Sequence, residues 1–346
     1  MIISKTPYRI SFFGGGTDYP EWYRREGGAV LSTTIDKYCY ISCRVVPPFF
    51  NVRHRVVWSH IETVSSINEI LHPAVRECLK FLGFDDSMGL EILHQGDLPA
   101  RSGIGSSSTF VVGMIQALTA LRGGTIGKHE LVMKAIELEQ SVLQEHVGSQ
   151  DPVAATYGGL NVINFLNTGE IRVEPVQVPA CRLLDLQSNL LLVYMGTNRL
   201  ASKIAVDIIS NLREKESVLR TMRQMVDEAV AILKGSGSLD DFGRLLHETW
   251  MLKRGLSALV SNATIDRLFE VALAHGALGG KLLGAGGAGF CLLYVPPERQ
   301  PAVLEALAGY FNVDFRFETE GSSVLDTTAR GVDFENRSRV NWQWTS

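Results

Sequence analysis

A glycine–serine loop and four charged side chains, far apart in the sequence, decide what chemistry this chain could perform. The loop lies within Asp97–Leu121, DLPARSGIGSSSTFVVGMIQALTAL. Pro99, Gly103, Ile104 and Gly105 lead into Ser106, Ser107 and Ser108, and Phe110, Val111, Met114, Ile115, Leu118 and Leu121 then recur at helical spacing. Gly103 and Gly105 can take positive φ and let an anion approach the backbone. The serines stand where N-cap residues stand, beside first-turn N–H groups that lack partners. Those donors and the helix dipole together favour a phosphate. An ordinary glycine loop capped by serine accounts for the same residues, and no G-K-[ST] closes it as in a Walker A loop.

Glu139 is the first of the charged residues. The spacing predicts a helix over His129–Glu145, with Leu131, Val132, Ala135, Ile136, Leu138, Val142 and Leu143 on one stripe. Glu139 lies about 20° from the centre of that stripe. An ionised, unpaired carboxylate facing the interior would cost several kcal/mol, so it needs a cation, an Arg partner or backbone donors. Arg9 and Asp18 flank a turn at FGGGTD, Phe13–Asp18. They could face a small polar ligand or simply serve the turn. Asp151 follows the helix in a polar loop, GSQDPVAATYGG over Gly148–Gly159, where an Asp before Pro is usually a turn residue.

The elements that must position these groups follow from pattern. Met1–Ser11 reads as a strand interrupted by Pro7. Leu31–Val46 and Asn51–Trp58 read as strands joined at Pro47–Pro48. A helix is expected over Ile70–Leu82, and strands over Leu90–Gln95 and Leu160–Phe165. From Arg182 onward the pattern is mostly helical, over Ala201–Leu212, Glu216–Lys234, Asp240–Leu252 and Thr264–His275. Strands are expected over Asn189–Tyr194, Phe290–Val295 and Val313–Glu318, and the tail after Gly321 is polar without a period.

Bulk properties exclude several classes. The 346 residues are 45% hydrophobic and 20% charged, an ordinary globular composition. Net charge is −4 with no basic face, which argues against a nucleic-acid partner. Five cysteines without C-x-x-C spacing suit neither a disulfide scaffold nor a zinc site, and they fit a reducing compartment. No apolar run approaches a membrane span, and MIISKTPYRI lacks the form of a signal peptide, so a cytoplasmic protein is expected.

Three glycine-rich stretches each adjoin an apolar run: TPYRISFFGGGTDYP over Thr6–Pro20, the P-x-x-x-G-I-G-S-S-S loop over Pro99–Ser108, and KLLGAGGAGF over Lys281–Phe290. In these motifs, their order and their spacing, from about Ile2 to Phe317, the chain resembles the GHMP kinases: galactokinase, homoserine kinase, mevalonate kinase and phosphomevalonate kinase. The resemblance implies an α+β, two-lobe fold. A ribosomal-protein-S5-like ATP-binding lobe would span 1–181, and a ferredoxin-like GHMP lobe 182–346.

The resemblance also implies ATP and Mg²⁺. The nucleotide phosphates would lie on Pro99, Gly103, Ile104, Gly105, Ser106, Ser107 and Ser108, with Trp58 either packing on adenine or serving structure. Glu139 and Ser107 would hold Mg²⁺, which needs few protein ligands. Asp151 would accept or orient the acceptor hydroxyl's proton, with Arg9 beside it. Gly15, Gly16, Thr17, Asp18, Gly286 and Gly287 would line the acceptor site.

FGGGTDYPEWY, YMGTNRLASKI and HETWMLKRGLS resemble the heptose kinase branch, which phosphorylates D-glycero-D-manno-heptose 7-phosphate at the anomeric carbon. There Arg199, Ser202, Lys253 and Arg254 could meet the sugar's remote phosphate. One departure is that the branch often reads K-Q-D-Q-aromatic, where this chain has Ser149, Gln150, Asp151, Pro152 and Val153. The expected partners are therefore a small sugar phosphate and ATP, with neither nucleic acid nor membrane, and pairing as a homodimer is open. Rival readings are another sugar or mevalonate-type kinase, a non-catalytic nucleotide or sugar sensor, and an ATP-using decarboxylase on the same fold.

Overall fold

A long antiparallel pair forms the spine of the first half: β1 (Ile2–Phe13) runs beside β2 (Gly28–Val45), with α1 (Pro20–Glu26) between them. β3 (His54–Val57), β4 (Ile61–Val64), α2 (Pro73–Phe81) and β5 (Leu90–Gly96) follow, then α3 (Ser106–Leu121), α4 (Lys128–Glu137) and α5 (Gln150–Tyr157). β6 (Asn161–Phe165) and β7 (Ile171–Pro175) complete the first sheet's early strands. The chain then continues through α6 (Ala180–Ser188), β8 (Leu190–Tyr194), α7 (Ala201–Asn211), α8 (Glu216–Lys234), α9 (Asp240–Arg254) and α10 (Ala263–Ala274). β9 (Gly279–Leu282), β10 (Phe290–Tyr294), α11 (Gln300–Ala306), β11 (Phe311–Asn312), β12 (Phe317–Glu318) and β13 (Ser323–Val324) end the fold. The computed structural model describes residues 1–325 apart from Pro48, Asn51 and 198–200, so those positions of the expected Pro47–Pro48 turn and Asn51–Trp58 strand lie outside it.

Two sheets organise these elements. The first runs β13-β1-β2-β5-β3-β4, with β12 and β6 also on β2 and β7 on β6; the second runs β11-β8-β10-β9. Sequence division near residue 181 separates the two sheets' early strands, but β12 and β13 return from the C-terminal part to pair with β2 and β1. The polar tail thus closes the first sheet through Ser4–Val324 and Lys5–Ser323. The expected strand over Val313–Glu318 is confined to Phe317–Glu318.

β1 is continuous through Pro7, and the absent N–H is absorbed by a register shift between Pro7 and Arg9. Its first residues alternate buried and half-buried, whereas Thr6–Phe13 are buried throughout. Both faces are covered there because α3 packs against β1 from one part of the chain and α8 and α9 from the other. Phe12 and Phe13 meet Phe242 of α9 edge-on at 5.4 and 5.1 Å, which ties the two halves together. Helix α3 is apolar nearly all round and is buried along its length, with Ser4 Oγ donating to Gly113 O at 2.8 Å.

Candidate active site

The register shift in β1 delivers Arg9 to the loop that precedes α3. Arg9 Nε and Nη2 donate to Asp151 Oδ1 and Oδ2 at 2.7 and 2.8 Å, and Nη1 donates to Gly103 O at 2.7 Å. This is a bidentate, charge-assisted pair, the geometry that fixes a carboxylate's orientation best. The Arg9 side chain is 4% exposed and that of Asp151 22%, so the carboxylate is the member that a ligand can reach. Asp151 is not in a loop: it sits in the first turn of α5, which begins at Gln150. The GSQDP stretch reads as a turn, yet Pro152 near the start of a helix is where its missing N–H costs nothing.

The glycine–serine loop before α3 is pressed against the third glycine motif. Gly105 caps α3 with φ 74°, leaving the helix's first N–H groups without a side-chain cap. Gly103 and Gly284 touch so closely that a Cβ on either would overlap the other's backbone or its neighbours', and both have positive φ. Phe290 N donates to Ser102 O at 2.9 Å, and Ser102 Oγ to Pro99 O at 2.6 Å, which fastens the two motifs. Ile104 is fully buried and contributes its carbonyl to Arg9 N at 3.3 Å, so its role is to anchor the loop. Ser106 Oγ accepts from Arg101 N at 3.0 Å.

The helix expected over His129–Glu145 ends early. α4 stops at Glu137, a π-turn spans Leu138–Val142, and Gln144 has φ 55°. Such single π-turns recur at functional sites. Here the turn carries Glu139, which is 1% exposed with both carboxylate oxygens lacking a hydrogen-bond partner. Burial pushes its pKa well above the ordinary range; the nearby Ser108 hydroxyl opposes this without making an aligned bond, and Glu145 and Asp151 reinforce it. The serine bearing on Glu139 is therefore Ser108, whereas the expected partner, Ser107, is exposed and its hydroxyl turns to Glu145. An orphaned, buried carboxylate oxygen pair beside serine hydroxyls is a donor set that fits Mg²⁺.

Asp18 lies at the floor. It is 2% exposed, its Oδ1 accepts from Gly16 N at 2.9 Å and its Oδ2 from Gln150 N at 3.3 Å. Burial raises its pKa, the Gly16 N–H opposes this and Asp151 adds to it. Thr17 is fully buried and holds the turn through Gly14 O at 2.8 Å and Ala29 O at 3.0 Å. Gly15 and Gly16 complete that turn, Gly15 facing Gln150 and Ser11. A Cβ added at Gly148 would overlap Asp18 Oδ2. Gly148→Ala is expected to destabilise the protein by about 1–3 kcal/mol, read as a lower urea midpoint at unchanged slope. An unchanged midpoint would show that Asp18 is free to move aside.

Other expected positions fall elsewhere. Gly287 and Ala288, with Met195 and residues Asn262–Ile265, line an open cavity of about 370 Å³, and Gly286 packs on Val260. Arg199 lies outside the described residues. Arg254 pairs with Asp266 at 2.9 Å, and Lys253 is buried rather than presented to solvent. Trp58 is half-buried, donates to Glu62 at 2.7 Å and meets His72 edge-on, which stacks on Phe110 of α3 at 5.0 Å. An aromatic row thus reaches the first turns of α3. Sequence reasoning gave no role to Lys281 or Glu145; the signal for Lys281 is a lone lysine inside an apolar strand next to a glycine motif.

Residues 68–159 match the family model for the GHMP kinases N terminal domain, and residues 225–313 that for the GHMP kinases C terminal domain. D-glycero-alpha-D-manno-heptose 7-phosphate kinase of Campylobacter jejuni is 29% identical, the alignment covering 92% of this chain and 97% of the relative. The bifunctional fucokinase/GDP-fucose pyrophosphorylase of Arabidopsis thaliana is 26% identical over 83% of this chain but only 29% of its own length. Among solved structures, a D-glycero-D-manno-heptose 1-phosphate kinase from Bacteroides thetaiotaomicron superposes with TM-score 0.76 at 25% identity, covering 94% of this chain and 99% of that one.

Proposed function

The chain belongs to the GHMP kinase family, and from that premise we propose that it transfers the γ-phosphate of ATP to a hydroxyl of a sugar phosphate, C1 of D-glycero-D-manno-heptose 7-phosphate. The observation that carries this reading is the Arg9–Asp151 pair set directly beneath the Gly103–Ser108 loop. The acceptor oxygen attacks the γ-phosphorus, the bond from that phosphorus to the bridging oxygen breaks, and ADP leaves. Asp151 takes the acceptor's proton, and Arg9 keeps its carboxylate oriented for that step.

The free N–H groups at the start of α3 bind the nucleotide phosphates. Glu139, with the hydroxyls of Ser107 and Ser108, would hold Mg²⁺, which supplies charge neutralisation of the phosphates when bound. Asp18, Gly15, Gly16 and Thr17 shape the acceptor site. Residues 1–181 would carry the nucleotide, and the enzyme would act in the cytoplasm. Among the described residues no helix is long and apolar enough to cross a membrane.

ADP release measured with MgATP across heptose 7-phosphate, heptose 1-phosphate, mannose, fucose, galactose and mevalonate tests the reading. Turnover on the 7-phosphate, with phosphorus NMR showing a new anomeric phosphate, is expected. Turnover only on another acceptor would discard the heptose assignment and direct attention to Pro152 and Val153. ATP binding without turnover on any acceptor would favour a sensor.

A further inference from the structure

Two buried lysine amino groups lie in the field of Asp18, and the transfer step described above uses neither. Lys281 of β9 is 2% exposed and donates to Phe12 O at 2.7 Å. Lys253, in the last turn of α9, is 7% exposed and donates to Leu282 O at 3.3 Å and to Gly284 O. Gly284 is seated against Gly103, Gly103 O accepts from Arg9, and Arg9 grips Asp151. An unbroken series of contacts therefore runs from α9 through both glycine motifs to the carboxylate. The charged groups bearing on Lys253 are Arg9 from β1, Asp18 from the turn after it and Asp151 from α5, while Lys281 from β9 in turn feels Lys253.

We propose that Lys253 is a positioning residue: its ammonium holds the carbonyls of Leu282 and Gly284, keeps the third glycine motif seated on the phosphate loop, and so fixes Arg9 and Asp151 for transfer. The inference rests on the Asp151-centred reading. A neutral amine has one donor fewer and a lone pair to place among carbonyl oxygens, so deprotonation loosens this clasp. Burial, and after it Arg9, push the Lys253 pKa down to about 8, with Asp18 and Asp151 opposing. Turnover should accordingly fall as pH rises through about 8. The stability contribution of the same group has the opposite sign. Above about pH 8 the unfolded chain still binds a proton that the folded chain has released, so stability from this group rises toward the ordinary lysine range. Loss of activity there is then not loss of fold.

Lys253→Met and Lys253→Arg test this by kcat, KM and full pH profiles, with thermal melts alongside. Lys253→Met should lower kcat about 10–100-fold with KM for MgATP within about 3-fold, and should abolish the alkaline limb. Lys253→Arg, charged throughout, should recover part of kcat and move the limb above about pH 9. A wild-type limb in Lys253→Met would overturn the proposal. Should that variant fail to fold, an unshifted limb in Lys253→Arg would overturn it equally. Full activity of Asp151→Asn would instead sink the underlying reading, whereas an inactive Asp151→Asn beside a wild-type Lys253→Met would sink the Lys253 role alone.

Discussion

Asp151→Asn is expected to lower kcat by about 10²–10⁴-fold while KM for MgATP changes little. The substitution conserves volume, so the start of α5 should fold as before. It removes the group proposed to take the acceptor's proton, and it also spoils the grip of Arg9. Two guanidinium N–H groups now find one acceptor and one NH₂ donor, where the carboxylate offered two acceptors at 2.7 and 2.8 Å. On the proposed reading, nucleotide phosphates would meet the backbone of the Gly103–Ser108 loop and the N-terminus of α3, neither of which changes. The loss therefore belongs to the transfer step. Near-wild-type kcat in Asp151→Asn, with Glu139→Gln inactive, would show that the carboxylate is not the proton acceptor.

Glu139→Gln should separate activity from stability in opposite directions. Without metal, Glu139 is a buried carboxyl whose oxygens have no partner and whose pKa is raised well above its ordinary value. For a carboxyl shifted upward on folding, the associated stability is complete below the unfolded pKa and is lost as pH rises through the folded one. Glutamine cannot ionise, so the metal-free variant should melt at a higher temperature than wild type at neutral pH and show a flatter dependence on pH. Its kcat should fall at least about 100-fold and its half-saturating Mg²⁺ concentration rise about 10-fold or more. A variant that is no more stable than wild type and saturates with Mg²⁺ normally would place the metal elsewhere.

Local pattern made much of this protein legible. Apolar spacing marks α8, α9 and α10 because each buries a face whose period is the helix's own, and the glycine–serine loop is recognisable because an anion site at a helix N-terminus needs adjacent residues only. Glu139 was visible as an inward carboxylate, since one charge on an apolar stripe contradicts the stripe. The π-turn that carries it was not, because a five-residue hydrogen-bonding step leaves the apolar pattern almost unchanged. The start of α5 was missed for a related reason: Asp-Pro is equally at home in a turn and at a helix N-terminus, and the contacts that hold this start come from Arg9, 142 residues away, and Asp18, 132 residues away.

What the sequence determined by itself is the set of chemical groups and the elements bearing them, because these depend on neighbours within a turn or two. Tertiary structure alone decided which groups meet. It paired Arg9 with Asp151, brought Ser108 rather than Ser107 to Glu139, returned residues 317–324 to the first sheet, and drew Lys253 and Lys281 inward onto backbone carbonyls. Each of these is a long-range electrostatic or hydrogen-bonding choice. Its strength comes from the low dielectric around each pair, which offsets the cost of taking both groups out of water, and that environment exists only once the distant segments have packed.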